Sequence, residues 1–124
     1  MKKKILIIED SPTDAAIMKD AFVAGGFETF VAITGEEGLL LARQEKPDLI
    51  ILDLILPNIN GYDVCRLIRQ DVELSRTIIL VVSAKNQLAD ITEAIHAGAN
   101  DYVIKPPLAE FLVNKVKLYL GIAE

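Results

Sequence analysis

Five short apolar runs recur along the chain, and each is separated from the next by a longer segment whose apolar residues have helical spacing. They read KILII (4–8), TFVAI (29–33), LIIL (49–52), TIILVV (77–82) and DYVI (101–104). Because these runs are continuous rather than alternating, they predict strands buried on both faces, as in a parallel sheet. Strands that alternate with helices indicate βαβ units. The sequence therefore predicts one α/β domain of five strands and five helices.

The segments between the runs carry signals for helix ends. Ser11 is a predicted N-cap, with Pro12 at the first helical position and Asp14 in the first turn. Thr34 and Glu37 predict a capping box at the second helix. Glycines in AGG (24–26) and AGA (97–99) stand where helices commonly end.

Length, cysteine count and net charge argue against several classes of protein. The 124 residues suffice for one domain with a core, and no apolar run approaches the length of a membrane span. The basic start MKKK lacks a following cleavage site, which argues against a signal peptide. Cys65 is the single cysteine, which fits a reducing compartment, and we expect a cytoplasmic protein. A net charge of −5 argues against direct binding to nucleic acid.

Polar residues follow four of the predicted strands. Glu9 and Asp10 follow the first strand, Asp53 the third and Lys105 the fifth, while Ser83 ends the fourth. The carboxyl ends of parallel strands meet at one edge of a sheet, where open α/β sheets bind their ligands. We therefore expect these side chains to converge.

The converging groups predict metal-assisted transfer of a phosphoryl group to a carboxylate. Three clustered acids repel one another unless a cation holds them together, and an all-oxygen ligand set suits Mg²⁺. A lysine and a hydroxyl can bind the remaining phosphoryl oxygens. Asp53 would be the nucleophile, as carboxylates are in aspartyl-phosphate chemistry.

The sequence resembles the receiver domains of two-component response regulators over essentially its whole length, residues 1–124. The motifs IIEDS, LDLILPNING, VVSA and AGANDYVIKPP carry the resemblance through their order and spacing. It implies a flavodoxin-like, doubly wound (βα)5 fold with a five-stranded parallel sheet in the order 2-1-3-4-5. Helices are then expected on both faces of the sheet.

The resemblance also implies roles for individual residues. Asp53 matches the phosphoacceptor, Lys105 the lysine of the site, Ser83 the switch hydroxyl and Tyr102 the switch aromatic. Mg²⁺ would be held by Asp10, Asp53 and the backbone carbonyl of Ile55, with Glu9 reaching it through a water molecule. The Lys105–Pro106 peptide bond is expected to be cis. In the family the side chain at the Ile55 position tunes how readily water reaches the phosphoryl group, and an apolar residue there cannot orient a water molecule.

The implied function is a phosphorylation-dependent signalling switch without turnover of a separate substrate. The phosphodonor would be a sensor histidine kinase or a histidine phosphotransfer protein. The output would be a protein contact at the face formed by the fourth helix, fifth strand and fifth helix, and a homodimer on phosphorylation stays open. Because the sequence ends at Glu124 after the fifth predicted helix, we expect a stand-alone regulator or a piece of a longer one.

Two alternative functions remain. A pseudo-receiver would be a binding module that has lost phosphorylation, but such domains usually lack the phosphoacceptor, an acid or the lysine. A haloacid-dehalogenase-like phosphatase would place its nucleophile in an Asp-x-Asp motif after the first strand, whereas Glu9 and Asp10 are adjacent here.

Overall fold

The computed structural model describes residues 1–122, which form a five-stranded parallel sheet with helices on both faces. The strand order is β2-β1-β3-β4-β5, as expected for a doubly wound flavodoxin-like fold. The elements, in chain order, are β1 (Lys4–Ile8), α1 (Pro12–Ala24), β2 (Glu28–Ala32), α2 (Gly35–Glu45), β3 (Leu49–Leu52), α3 (Gly61–Gln70), β4 (Ile78–Ser83), α4 (Leu88–Ala97), β5 (Asp101–Ile104) and α5 (Ala109–Tyr119).

The sheet separates two apolar clusters. Alternate residues of β1 point to opposite faces, so that Leu6 and Ile8 pack on one side while Ile5 and Ile7 pack on the other. Buried residues of α2, α3 and α4 cover the first side, and those of α1 and α5 cover the second. The central strands are buried on both faces, which explains their continuous apolar sequences.

Two strands, β2 and β4, are each shifted by one residue at both ends from the predicted runs 29–33 and 77–82. Strand β2 ends at Ala32 because the backbone amide of Ile33 donates to the Glu37 carboxylate (2.8 Å) instead of to a strand. Strand β4 starts at Ile78 because the amide of Thr77 belongs to a turn, where it donates to the carbonyl of Leu74 (3.0 Å).

Most predicted helix ends are confirmed. The hydroxyl of Ser11 accepts from the amide of Asp14, with Pro12 as the first residue of α1. The Thr34 hydroxyl likewise accepts from the amide of Glu37 (3.0 Å), but the reciprocal half of the predicted capping box is wrong, because the Glu37 carboxylate contacts Ile33. Gly98 ends α4 with a φ of 119°, in the left-handed region that favours glycine.

Within residues 1–122, every helix is too short or too polar to cross a membrane.

Candidate functional site

The carboxyl edge of the sheet places the predicted site residues side by side. Three backbone hydrogen bonds extend the parallel pairing one step beyond the strands: Glu9 donates to Ala32, Asp53 to Ile8 and Lys105 to Ser83, at 2.9–3.0 Å. These bonds fix the backbone from which each side chain projects. The convergence predicted from strand polarity is confirmed for the side chains of Glu9, Asp53 and Lys105, which are in contact, and for Asp10 beside them.

Lys105 forms the centre of this cluster. Its Nζ donates to Glu9 Oε1 (2.6 Å), Asp14 Oδ2 (2.8 Å) and Asp53 Oδ2 (2.9 Å). An ammonium group has three N–H donors, so three carboxylates engage its full donor capacity. Glu9 and Asp53 were expected near the lysine, whereas the contact with Asp14 was not predicted.

The cluster shifts the pKa of the lysine and of one acid. Burial alone would lower the pKa of Lys105, but hydrogen bonds to Asp14, Glu9 and Asp53 outweigh it and raise the pKa above its usual value. Burial raises the pKa of Glu9 to about 7, aided by the charge of Asp53 and opposed by the Lys105 hydrogen bond. Lys105 is therefore charged at neutral pH, whereas Glu9 is poised to change protonation there.

Three of the acids can share a cation. Glu9, Asp10 and Asp53 each offer a carboxylate oxygen, and these oxygens lie within 4.8 Å of one another. Three carboxylates contact the one ammonium and Asp10 lies beside two of them, which leaves an excess of negative charge when all are ionised. A hard divalent ion such as Mg²⁺ fits this all-oxygen donor set and offsets that excess.

Asp53 lies at the start of a tightly folded loop. Its side chain is 5% exposed, and its Oδ1 accepts from the amide of Ile55 (3.2 Å). The amide of Gly61 donates back to the carbonyl of Leu54 (3.0 Å). A Cβ on Gly61 would collide with the carbonyl oxygen of Asp53, so this close approach of two backbone segments requires glycine.

The two predicted switch residues, Ser83 and Tyr102, both hydrogen-bond to the backbone of Lys85. Ser83 is fully buried, and its Oγ accepts from the amide of Lys85 (3.3 Å). The Tyr102 hydroxyl donates to the carbonyl of Lys85 (2.7 Å), and its ring packs against the core. Sequence reasoning found both side chains but not the residue that joins them, because a backbone contact leaves no signal in residue type.

A second connection missed by sequence reasoning joins the first turns of α3 and α4. The hydroxyl of Tyr62 lies 3.4 Å from Asp90 Oδ1, and the ammonium of Lys85 lies 5.4 Å from the centre of the Tyr62 ring. Asp90 also accepts from the amide of Gln87 at the start of α4. The loop before α4 thus contacts α3, the helix that follows the Asp53 loop.

The peptide bond between Lys105 and Pro106 is cis, as predicted. Cys65 is buried in the core, as expected. The side chain of Ile55 is about half exposed beside Asp53.

The sequence is similar to those of known proteins over most of its length. Residues 5–117 match the family model for the response regulator receiver domain. The DNA-binding response regulator MtrA of Mycolicibacterium smegmatis is 38% identical over 120 residues, which are 97% of this chain and 51% of MtrA. The chain thus spans about half the length of its MtrA relatives. Protein PilH of Pseudomonas aeruginosa is 34% identical over 118 residues, which cover 95% of this chain and 98% of PilH.

Solved structures agree with the sequence relatives. A putative response regulator from Chloroflexus aurantiacus has a TM-score of 0.93 at 33% identity, covering 98% of this chain and 99% of that one. A two-component response regulator from Clostridium difficile has a TM-score of 0.91 at 31% identity, covering 97% of both chains.

Proposed function

Because this chain belongs to the family of response regulator receiver domains, we propose that it is a signalling switch that accepts a phosphoryl group on Asp53 with Mg²⁺. The observation that carries the proposal is the position of Asp53. Its Oδ2 contacts Lys105 Nζ at 2.9 Å, while the same side chain shares an oxygen cluster with Glu9 and Asp10. One carboxylate is thus placed between a fixed cation and a candidate metal site.

The proposed reaction moves the phosphoryl group from a phosphohistidine to Asp53. A carboxylate oxygen of Asp53 forms a bond to phosphorus as the phosphorus–nitrogen bond breaks. The electron pair of that bond stays on the imidazole nitrogen, and because the other ring nitrogen of the phosphohistidine carries a proton, the ring leaves as neutral imidazole. Lys105 holds a phosphoryl oxygen as negative charge shifts toward it, and Ser83 can donate its hydroxyl to another.

Magnesium would supply the positive charge that two anionic reactants need to approach each other. We assign the ion to Asp10, Asp53 and the Ile55 carbonyl, with Glu9 acting through a water molecule. The chemistry of the donors supports this assignment, since all are oxygens and Asp10 is exposed to solvent. Glu9 is less available than the exposed Asp10, because its two carboxylate oxygens already accept from Lys105 and from the amide of Ser11 (3.1 Å).

The phosphodonor would be the histidine-containing domain of a sensor kinase or phosphotransfer protein. A cavity of about 310 Å³ opens beside Lys105, lined mainly by the apolar residues Ile17, Met18, Ala84, Pro106 and Pro107. An apolar surface beside the lysine that contacts Asp53 suits a protein donor, which must bring its imidazole close to that carboxylate.

The output would be a contact with a target protein at the face of α4, β5 and α5. Ser83 on β4 and Tyr102 on β5 both hydrogen-bond to the backbone of Lys85, which would connect the phosphorylation site to this face. Apolar side chains of α4 and α5 are exposed there, namely Leu88, Ile95, Phe111 and Leu118. Such side chains support a protein partner, which can be a target or a second copy of the chain.

Intact-mass measurement after treatment with acetyl phosphate tests the proposal. The wild-type protein should gain one phosphoryl group in Mg²⁺ but not with a chelator present. Asp53→Asn should gain none, whereas Asp63→Asn, which removes an exposed acid in α3, should behave as wild type. An equal gain in Asp53→Asn, or no gain in wild type, would contradict the proposal; the second result would favour a pseudo-receiver.

A further inference from the structure

Asp14 contacts Lys105, although the proposed phosphorylation and metal sites give Asp14 no role. It is the third residue of α1, a position from which a carboxylate commonly reaches back to the N-cap amide. Here that amide, of Ser11, donates to Glu9 Oε2 (3.1 Å). The carboxylate of Asp14 instead accepts from Lys105 Nζ at 2.8 Å.

This contact matters because Lys105 has no donor left over. Its three N–H groups are directed to Glu9, Asp14 and Asp53. A phosphoryl oxygen can therefore receive a hydrogen bond from Lys105 only if one of the three contacts is released.

Burial decides which contact is released most easily. Glu9 and Asp53 have side chains that are 1% and 5% exposed, so before the bond from Asp53 to phosphorus forms, either would become a buried charge without its cation. The Asp14 side chain is 41% exposed and lies at the edge of the cavity beside Lys105, where water can solvate it. While the phosphoryl group approaches, release of Asp14 is therefore the least costly of the three.

We propose that Asp14 is a positioning residue: it holds Lys105 as a counter-ion before reaction, and the phosphoryl group displaces it from the lysine. This inference rests on the proposed phosphorylation of Asp53. It follows that Asp14 lowers the affinity of the site for a phosphoryl group in two ways. Its carboxylate competes for the same N–H donor, and its charge repels the incoming anion.

Beryllofluoride, formed from beryllium chloride and excess fluoride, is a suitable probe because it mimics a phosphoryl group on a carboxylate. We would titrate it in Mg²⁺ and follow binding by amide NMR in wild type, Asp14→Asn and Asp14→Glu. Asp20→Asn is the matched control, since it removes an equal charge from an exposed position on the same helix. Asp14→Asn should lower the half-saturating concentration by about three- to ten-fold, in line with loss of one partly exposed charged contact. Asp14→Glu, which retains a carboxylate, and Asp20→Asn should have half-saturating concentrations close to that of the wild type.

Magnesium affinity separates this role from a structural one. Asp14 lies outside the oxygen cluster of Glu9, Asp10 and Asp53, so Asp14→Asn should change Mg²⁺ affinity by less than about three-fold. Unchanged or weaker beryllofluoride binding in Asp14→Asn, with normal binding in wild type, would overturn the inference and leave the proposed function standing. Tighter beryllofluoride binding in Asp14→Glu as well as in Asp14→Asn would also overturn the inference. A wild-type protein that binds no beryllofluoride would contradict both.

Discussion

The ammonium of Lys105 lies 2.9 Å from Oδ2 of Asp53, although 52 positions separate the two residues in the chain. The contact spans the carboxyl edge of the sheet, since Lys105 follows β5, Asp53 follows β3 and β4 lies between them. It places a positive charge against the carboxylate proposed to accept the phosphoryl group. The stability and reactivity of the site both depend on the charges of the acids that surround this lysine.

The raised pKa of Glu9 predicts a pH-dependent stability in metal-free buffer. Burial raises this pKa from 4.5 to about 7, so between those values the folded state binds more protons than the unfolded state. The free energy of unfolding should therefore fall as pH rises through this window and level off above it. Urea unfolding at pH 5 and pH 8 measures the effect. Glu9→Gln should flatten the profile, whereas Glu28→Gln, at an exposed position, should not. An unchanged profile in Glu9→Gln would refute the assignment.

Asp10 should be needed for metal but not for folding. It is exposed at the rim of the oxygen cluster, so Asp10→Asn removes a ligand without leaving a buried group unpaired. Mg²⁺ binding should weaken by about ten-fold or more, because the ion keeps few carboxylate ligands. The melting temperature in metal-free buffer should stay the same or rise, since carboxylate repulsion is relieved. Calorimetric titration with Mg²⁺ measures the affinity, and an unchanged value in Asp10→Asn would rule out this site.

Gly61→Ala should destabilise the Asp53 loop. The added Cβ would collide with the backbone of Asp53 and lie 2.6 Å from the Cα of Leu54, and backbone atoms cannot move aside cheaply. We expect a loss of about 1–3 kcal/mol in the free energy of unfolding, as for overpacked sites. Ala109→Gly, at the first position of α5, is a control for the helix effect and should cost less than about 1 kcal/mol. Equal urea midpoints for Gly61→Ala and wild type would contradict the close approach.

Ser83 and Tyr102 should couple phosphorylation to the face of α4, β5 and α5 through Lys85. Ser83→Ala removes the acceptor for the Lys85 amide, and Tyr102→Phe removes the donor to its carbonyl. Both variants should still be phosphorylated, Ser83→Ala more slowly because one donor to the phosphoryl group is lost. Amide exchange of residues 86–112 should change less on phosphorylation in Ser83→Ala than in wild type. The same exchange pattern in both phosphorylated proteins would exclude this route.

The sequence predicted the sheet and its reactive edge because both depend on local patterns. Continuous apolar runs identify buried parallel strands, and the direction of a strand alone determines which end Asp53 and Lys105 occupy. Contacts between distant side chains have no such local signal. Asp14 was expected only as a helix-end charge, yet it contacts Lys105, which follows it by 91 positions. The Glu37 carboxylate contacts Ile33 rather than completing the predicted capping box, a choice between neighbouring amides that residue type does not determine.

The position of the phosphoryl group tests the central claim most directly. Protein treated with acetyl phosphate and Mg²⁺ can be reduced with borohydride, which converts an aspartyl phosphate to homoserine, and the peptides can then be sequenced by mass spectrometry. Homoserine should appear at position 53 alone, and it should be absent from protein treated without phosphodonor. Homoserine at position 10 or 14, or at no position in protein that has gained a phosphoryl group, would contradict the assignment of Asp53 as the phosphoacceptor.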